Sequence, residues 1–359
     1  MQQANTLNAR QALENRRLNF AKRGIIIALF GCGISYGFQA TVLGKAGTLF
    51  PFADPAYNVW LICVASLVMS GLHEIFAGCW ALGFNSIRGS GLREYGRLLK
   101  TKMGWLLLGG ALVGGPLAAS AYLIAINMCG ATYAAAITAL FPVMGQILSS
   151  FMLKERINKR TWLGICIVVI GTLIVGFAPP EGVYPHFTLG IIFAIVAAVL
   201  WALEGVIVTY ANDMVDPYVP VGVFRTFGAG IIDLIILVPI VSAMGHVGSA
   251  GFAMIGQSFA AGWPVILIAI AALGGGANYL CFYAGMTMTG VGRTMALDVT
   301  YAAWSIGFGF LFQALGIIEY AITPLAIIGV IIITIGTIMV IINPKELLDL
   351  RGGNENAAA

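Results

Sequence analysis

Two apolar segments, LGICIVVIGTLIV (163–175) and IGVIIITIGTIMV (328–340), match in register 165 residues apart. The matched positions include two glycines and a threonine: Gly164 with Gly329, Gly171 with Gly336, and Thr172 with Thr337. Glycine positions depend less on overall composition than leucine or isoleucine content does, so the match indicates an internal repeat rather than two similar apolar helices.

The composition around these segments is that of a membrane protein. Hydrophobic residues make up 59% of the 359 residues and charged residues only 9%, against roughly 25% charged in a soluble domain. The net charge of +4 is small and scattered, which excludes a nucleic-acid-binding surface. The six cysteines lie in apolar runs without a CxxC motif, so we expect neither a disulfide framework nor a zinc site.

Apolar runs of the length of a bilayer span recur along the chain. A spanning helix needs about 20 mostly apolar residues. We predict an all-α membrane protein with ten transmembrane helices, at about 24–47, 57–83, 104–128, 131–153, 161–178, 187–211, 218–244, 260–288, 291–315 and 321–343.

The repeat divides these ten helices into two sets of five. Because five is odd, the second set enters the membrane with the opposite orientation, and inverted repeats are typical of secondary transporters. The predicted organisation is a cytosolic N-terminal tail (1–23), a first repeat (24–178), a linker (179–186), a second repeat (187–343) and a cytosolic C-terminal tail (344–359).

The distribution of basic residues predicts the orientation. Sixteen of the 19 lysines and arginines fall in four segments: the N-terminal tail, the connections after the second and fourth predicted helices, and the C-terminal tail. By the positive-inside rule these segments face the cytoplasm, so both termini are expected there. An even number of spans requires the two termini to share one side.

Ionisable residues inside predicted spans are the candidates for function. Each charge at a helix centre costs about 2.5–3.5 kcal/mol to insert, so it is expected to face a partner or a cavity. Glu204 follows Trp201 by three residues, on one helix face, and Asp298 begins a similar stripe with Tyr301 and Trp304. A carboxylate beside aromatic rings is suited to an organic cation, above all a quaternary ammonium group.

Structural interpretations of these residues stand beside the functional one. Glu204 can instead pair with Arg225 or Arg293, and Asp298 can pair with Arg293 or cap a helix. The neighbours His73 and Glu74 can form a proton-coupling pair or a satisfied polar contact between helices. Arg225 is also a gating candidate, and it could meet a substrate carboxylate.

Enzyme signatures are missing from the sequence. It holds no GxSxG, no P-loop and no CxxC, and HEIFA (73–77) lacks the second histidine of a metalloprotease motif. We therefore expect no catalytic residues, no metal and no cofactor. A membrane-embedded enzyme or a non-transporting receptor would need a catalytic constellation that these motifs do not supply.

The order of helices and motifs resembles the drug/metabolite transporter superfamily, specifically its EamA-type members. The segment KERINKRTWLGICIVVIGTLIV (154–175) carries this resemblance, which extends over about 24–343. Four further segments are similar to the LicB-type bacterial choline transporters: LHEIF (72–76), GGPLAASAYL (114–123), LWALEGV (200–206) and ALDVTYAAWSIGFGFLF (296–312).

The resemblance implies a multi-pass transporter of the bacterial inner membrane that moves choline or a related quaternary amine. Its cage would be formed by Trp201, Glu204, Tyr301 and Trp304, with Asp298, Tyr279 and Tyr122 as neighbouring candidates. Asp298 replaces an asparagine of that group, and Gly31 stands where that group has a tryptophan that Tyr36 could replace. Protons are a candidate coupling ion, and a monomer or weak homodimer is expected. The alternative is an EamA-type exporter of amino acids or other small metabolites.

Overall fold

The computed structural model describes residues 2–175, 184–318, 324–341 and 343–350. All regular secondary structure in these ranges is helical. We number the longer helices α1 (Gln11–Gly47, the continuation of a helix from Gln2), α2 (Val59–Ile87), α3 (Lys102–Cys129), α4 (Ala131–Thr138), α5 (Phe141–Met152), α6 (Lys159–Val175), α7 (Phe187–Asn212), α8 (Val221–Met244), α9 (Ala250–Ala261), α10 (Trp263–Thr289), α11 (Val291–Ala314) and α12 (Pro324–Ile341).

Eight helices in the described part of the chain are long and apolar enough to cross a membrane. The predicted all-helical membrane architecture is therefore confirmed. Of the other two predicted spans, 131–153 is interrupted between α4 and α5, and 161–178 is helical as far as Val175. The count of ten remains a prediction, and most of the predicted linker 179–186 lies outside the described residues.

Two features of the helices were not predicted. The region 245–259, which we predicted as a connection, contains α9 with exposed Phe252 and Phe259 and buried Met254. The α-helical part of α11 is interrupted at Val299 and Thr300. Apolar residues continue through both regions, so hydropathy alone gives no sign of either feature.

The two repeat-matched segments lie in α6 and α12, which pack closely and antiparallel. A Cβ on Gly164 would lie 3.0 Å from the carbonyl oxygen of Gly336, and a Cβ on Gly171 would lie 2.9 Å from that of Gly329. The sequence-matched glycines thus meet crosswise, Gly164 with Gly336 and Gly171 with Gly329. Small residues at these positions allow the two backbones to approach.

One end of the bundle gathers several distant parts of the chain. Gly24 in α1 packs against Met288, near the end of α10. The start of α6 is tied to the C-terminal segment Pro344–Asp349 through a 2.8 Å ion pair between Arg160 and Glu346. The first membrane-embedded turns of α1 and the C-terminal segment therefore lie at the same end.

The outward faces of the bundle are apolar and exposed. On α12 the isoleucines at 328, 331, 335 and 338 form one helical stripe, each about half exposed. On α7, Ile192, Ile195 and Val199 do the same. Exposed apolar stripes of this extent are typical of surfaces that contact lipid rather than water.

Candidate functional site

A cavity inside the bundle is bounded by side chains from α1, α4, α5, α7, α8, α10 and α11. Its lining consists of six aromatic residues, three charged residues and two other polar residues: Tyr36, Phe141, Trp201, Tyr279, Phe282, Tyr301, Glu204, Arg225, Asp298, Thr138 and Asn278. Its volume is about 40 Å³, far below the roughly 300–1,000 Å³ of small-molecule pockets. The cavity is therefore contracted in this conformation.

Arg225 lies between two carboxylates at the cavity wall. Its Nε is 2.6 Å from Oε1 of Glu204, and its Nη1 is 3.3 Å from Oε2 of Glu74. All three residues are 1% exposed. The ion-pair interpretation of Glu204 is thus the one that the geometry supports, with Arg225 rather than Arg293 as the partner. Two acids share one guanidinium, so their formal charges do not cancel.

Tyrosines from α10 complete this triad of Glu74, Glu204 and Arg225. Tyr279 donates a 2.7 Å hydrogen bond from its hydroxyl to Glu74, and Tyr283 donates one of 2.8 Å to Glu204. The guanidinium also lies 4.0 Å from the centroid of the Tyr279 ring. These contacts fix both carboxylates in a setting without water, where unpaired charge is costly.

Gly114 in α3 makes room for Glu204. A Cβ at Gly114 would overlap the Glu204 carboxylate, so any larger residue must displace that group. The carbonyl oxygen of Gly114 also accepts a 3.2 Å hydrogen bond from the indole Nε1 of Trp201. The acid and the aromatic ring of the α7 stripe are therefore both positioned by the same glycine.

Asp298 lines the cavity from the end of the first α-helical segment of α11. Its Oδ1 accepts a 2.7 Å hydrogen bond from Asn278, and the residue is 3% exposed. Within the described ranges it forms no ion pair. Arg293, the partner we considered, instead lies 3.6 Å from Glu346 of the C-terminal segment. Asp298 is thus a cavity-facing carboxylate without a basic neighbour.

Aromatic rings surround these acids on two sides. Tyr36 and Tyr301 have ring centroids 4.3 Å apart, and Trp201 lies 5.2 Å from Tyr122 and 6.1 Å from Phe141. Tyr122 stands behind Trp201 and does not belong to the lining itself. Tyr36, proposed from the sequence as a replacement in α1, does line the cavity.

Two predicted candidates lie outside the cavity wall. Trp304 packs on α1, where a Cβ at Gly33 would lie 3.0 Å from its indole, and it meets the Phe30 ring edge at 6.2 Å. A spacing of three residues rotates it by about 60° from Tyr301, toward α1. His73 lies behind Glu74, with Nδ1 3.8 Å from Oε1 of the acid.

Several residues of the site were not predicted. Asn278 and Phe282 line the cavity, and Tyr283 holds Glu204. With Tyr279 they occupy positions i, i+1, i+4 and i+5 of α10, which form one helical face. That periodicity of polar aromatic residues was the available signal. Phe141 follows the break between α4 and α5, which no pattern indicated.

The comparisons with known proteins agree with this architecture. Residues 22–177 match the EamA-like transporter family, a member of the drug/metabolite transporter superfamily, and this confirms the family predicted from the sequence. The first part of the chain is thus an EamA-type transporter domain. The chain is a multi-pass membrane protein of the transporter class.

A curated relative and a solved structure extend the similarity beyond this domain. Protein LicB of Haemophilus influenzae is 28% identical over 228 residues, which cover 64% of this chain and 72% of LicB. A solved structure described only as the crystal structure of a protein aligns with a TM-score of 0.61 and 17% identity, covering 91% of this chain and 99% of its own. The latter similarity concerns the fold alone.

Proposed function

We propose that this transporter moves a small organic cation, choline or a related quaternary amine, by alternating access. Six aromatic rings and the carboxylates of Glu204 and Asp298 line one enclosed cavity. The rings attract a quaternary ammonium group by about 0.5–2 kcal/mol each. A trialkylated nitrogen needs no hydrogen-bond acceptor, so it can use the ring faces and the negative charge together.

The charge balance of the site carries the proposal. Glu74, Glu204 and Asp298 supply three acids against the single arginine Arg225, a formal charge of −2 when all are ionised. The observation on which this rests is the Asp298 carboxylate, which faces the cavity without a basic partner in the described ranges. A monovalent organic cation would remove part of this imbalance.

The transport cycle follows from the proposed repeat. The crosswise contact of the matched glycines in α6 and α12 is the arrangement that a two-fold axis in the membrane plane would give. Ten spans in two inverted halves would then rock about the cavity, with both termini in the cytoplasm of a bacterium. Because the cavity measures about 40 Å³, substrate entry requires it to widen. An inside-negative potential favours cation import by about 2.3 kcal/mol per charge per 100 mV.

The second candidate is an exporter of amino acids or other small metabolites. Arg225 lines the cavity and could meet a substrate carboxylate, while Asp298 met its ammonium group. Against this, Arg225 is already engaged by two acids at 2.6 and 3.3 Å. A carboxylate would have to displace one of them.

Ligand-induced thermal stabilisation of the purified protein tests the proposal. We would titrate choline, carnitine, betaine, ethanolamine and amino acids against the parent and against Asp298→Asn. A charge pair about 5 Å apart is worth about 3 kcal/mol at an effective dielectric constant of 20, before the cost of dehydration. We therefore expect the choline Kd to rise roughly tenfold to a hundredfold.

Asp216→Asn is the matched control, because Asp216 is an exposed acid that pairs with Arg88 at the surface. It should leave the choline Kd unchanged. Stabilisation by amino acids and not by choline would move the assignment to the exporter. Equal choline affinity in the parent and in Asp298→Asn would remove the observation on which the cation proposal rests.

A further inference from the structure

Helix α2 carries a buried polar stripe that continues away from the cavity. Ser66, Ser70 and Glu74 are spaced four residues apart and therefore share one face. They are 0%, 1% and 1% exposed. Glu74 belongs to the charged triad, whereas the two serines lie progressively farther along α2 from it, by about 6 Å per step.

The middle of this stripe faces Asp233 of α8. Ser120 of α3 donates a 3.0 Å hydrogen bond to Oδ1 of Asp233, and its Oγ lies 3.4 Å from Oγ of Ser70. Asp233 is 0% exposed, and its Oδ2 has no hydrogen-bond partner among the described residues. A carboxylate oxygen and two hydroxyl oxygens thus converge at one enclosed point.

No basic side chain of the described ranges pairs with Asp233. The charged groups that act on it electrostatically are Glu74 of α2 and Arg225 of its own helix. Arg225 is eight residues away, about 12 Å along α8, and is held by Glu74 and Glu204. Neither α3 near Ser120 nor the neighbouring α9 brings a titratable group. A buried carboxylate without a countercharge is costly, so a reason for its retention is needed.

The backbone of α8 is altered at the same place. Asp233 begins a π-helical segment, Asp233–Leu237, and π-segments within α-helices occur frequently at functional sites. Carboxylate and hydroxyl oxygens are ligands for small hard cations, and secondary transporters place coupling ions at irregular helix segments.

We propose that Asp233, Ser70 and Ser120 form a second cation site, for a small monovalent coupling ion that is either a proton or sodium. This assignment of a coupling ion rests on the proposed transport function. The site is distinct from the cavity: its acid lies on α8 about 12 Å from Arg225, and neither serine lines the cavity. Glu74 connects the two, since it shares the α2 stripe and binds Arg225.

A polar route leads from this site toward the opposite end of the bundle. Asn127, two residues before the end of α3, donates a 2.6 Å hydrogen bond from its Nδ2 to Ser66. Ser66 is one turn of α2 from Ser70, which contacts Ser120. The stripe therefore joins the partly exposed end of α3 to the charged triad, by way of Asp233.

Asp233→Asn in the full-length protein is the first test, with exposed Asp216→Asn as the control. In proteoliposomes with the membrane potential clamped at zero, the parent should accumulate radiolabelled choline when a proton or a sodium gradient is imposed. Asp233→Asn should lose this accumulation at least tenfold. Choline exchange without an ion gradient, and stabilisation by choline, should stay within twofold of the parent.

A binding measurement keeps the ion site testable by itself. Thermal stability of the detergent-solubilised protein would be titrated with sodium against potassium and, separately, with pH. Either a sodium-specific or a pH-dependent shift that Asp233→Asn abolishes supports the site and identifies the ion. The double variant Ser70→Ala/Ser120→Ala, which retains the acid, should weaken sodium binding or displace the pH response.

The two proposals fail in different ways. A parent that binds no organic cation contradicts the proposed substrate, while the sodium and pH titrations still judge the ion site. Ion responses and gradient-driven accumulation that are the same in Asp233→Asn and the parent overturn the ion site. Loss of choline exchange together with accumulation also overturns it, because Asp233 would then serve translocation in general. If Asp233→Asn does not fold, the serine double variant decides, and an unchanged ion response in it overturns the proposal.

Discussion

Arg225 is expected to carry more of the stability of the bundle than either acid beside it. It approaches Glu204 at 2.6 Å and Glu74 at 3.3 Å, and all three are buried. Arg225→Gln leaves two buried carboxylates without a countercharge. Glu204→Gln leaves Arg225 paired with Glu74, and the new amide can still accept the hydrogen bond from Tyr283.

The magnitudes of the two effects should differ clearly. Removing one partner of a buried ion pair costs about 3–5 kcal/mol, and about 2 °C per kcal/mol is the low end of the range for domains of 150–250 residues. We expect Arg225→Gln to lower the Tm by about 6–10 °C. Glu204→Gln should cost no more than about 1.5 kcal/mol, or about 3 °C.

The double variant Glu204→Gln/Arg225→Gln gives the sharper result. It leaves only Glu74 unpaired, and Glu74 keeps its 2.7 Å hydrogen bond from Tyr279. We therefore expect the double variant to be more stable than Arg225→Gln alone. Two neutralised side chains would then be tolerated better than one, which is the behaviour of coupled buried charges.

Thermal unfolding followed by tryptophan fluorescence in detergent measures all three variants. Arg88→Gln is the matched control, because Arg88 pairs with Asp216 at 3.1 Å at the surface, with side chains 34% and 40% exposed. Such pairs are worth about 0–1 kcal/mol. Our account of the triad is refuted if Arg225→Gln and Glu204→Gln shift the Tm equally, or if the double variant is the least stable.

Two further pairs of variants test the geometry of the cavity, each read out by choline titration of thermal stability. Gly114→Ala should weaken choline binding at least tenfold, because its Cβ displaces Glu204, whereas Gly109→Ala, where a Cβ meets open space, should not. Trp201→Ala should weaken binding by roughly twofold to thirtyfold, the worth of one cation–π contact, and Trp304→Ala should leave the affinity unchanged. Equal losses within either pair would contradict the placement described.

Hydropathy was sufficient to predict most of the fold, because the bilayer imposes a length on every apolar helix. The eight long helices lie at predicted spans to within a few residues, and the glycines matched between 163–175 and 328–340 do meet in space. The breaks at 139–140 and 299–300 could not be predicted in this way. Apolar residues flank both breaks, so the transfer energy of the segment is the same with or without them.

The charged residues of the site were predictable, but their partners were not. The cost of burying charge identified Glu74, Glu204, Arg225 and Asp298 as members of a polar site. Which acid meets the arginine depends on the contact between α2, α7 and α8, and no sequence spacing encodes that contact. The same limit explains Trp304: helical spacing placed it near Tyr301, but its 60° offset is enough to turn the ring onto α1.

The triad also links substrate binding to movement of the two proposed halves. Glu74 lies in the first repeat, and Glu204 and Arg225 lie in the second, so the Arg225–Glu74 pair spans the boundary between them. A cation bound beside Glu204 competes with Arg225 for that acid, and Arg225 is then drawn toward Glu74. A cation bound at Asp233 acts on Glu74 from the other side. Both ligands would therefore change the same inter-repeat ion pair, which is the physical requirement for coupling one flux to the other.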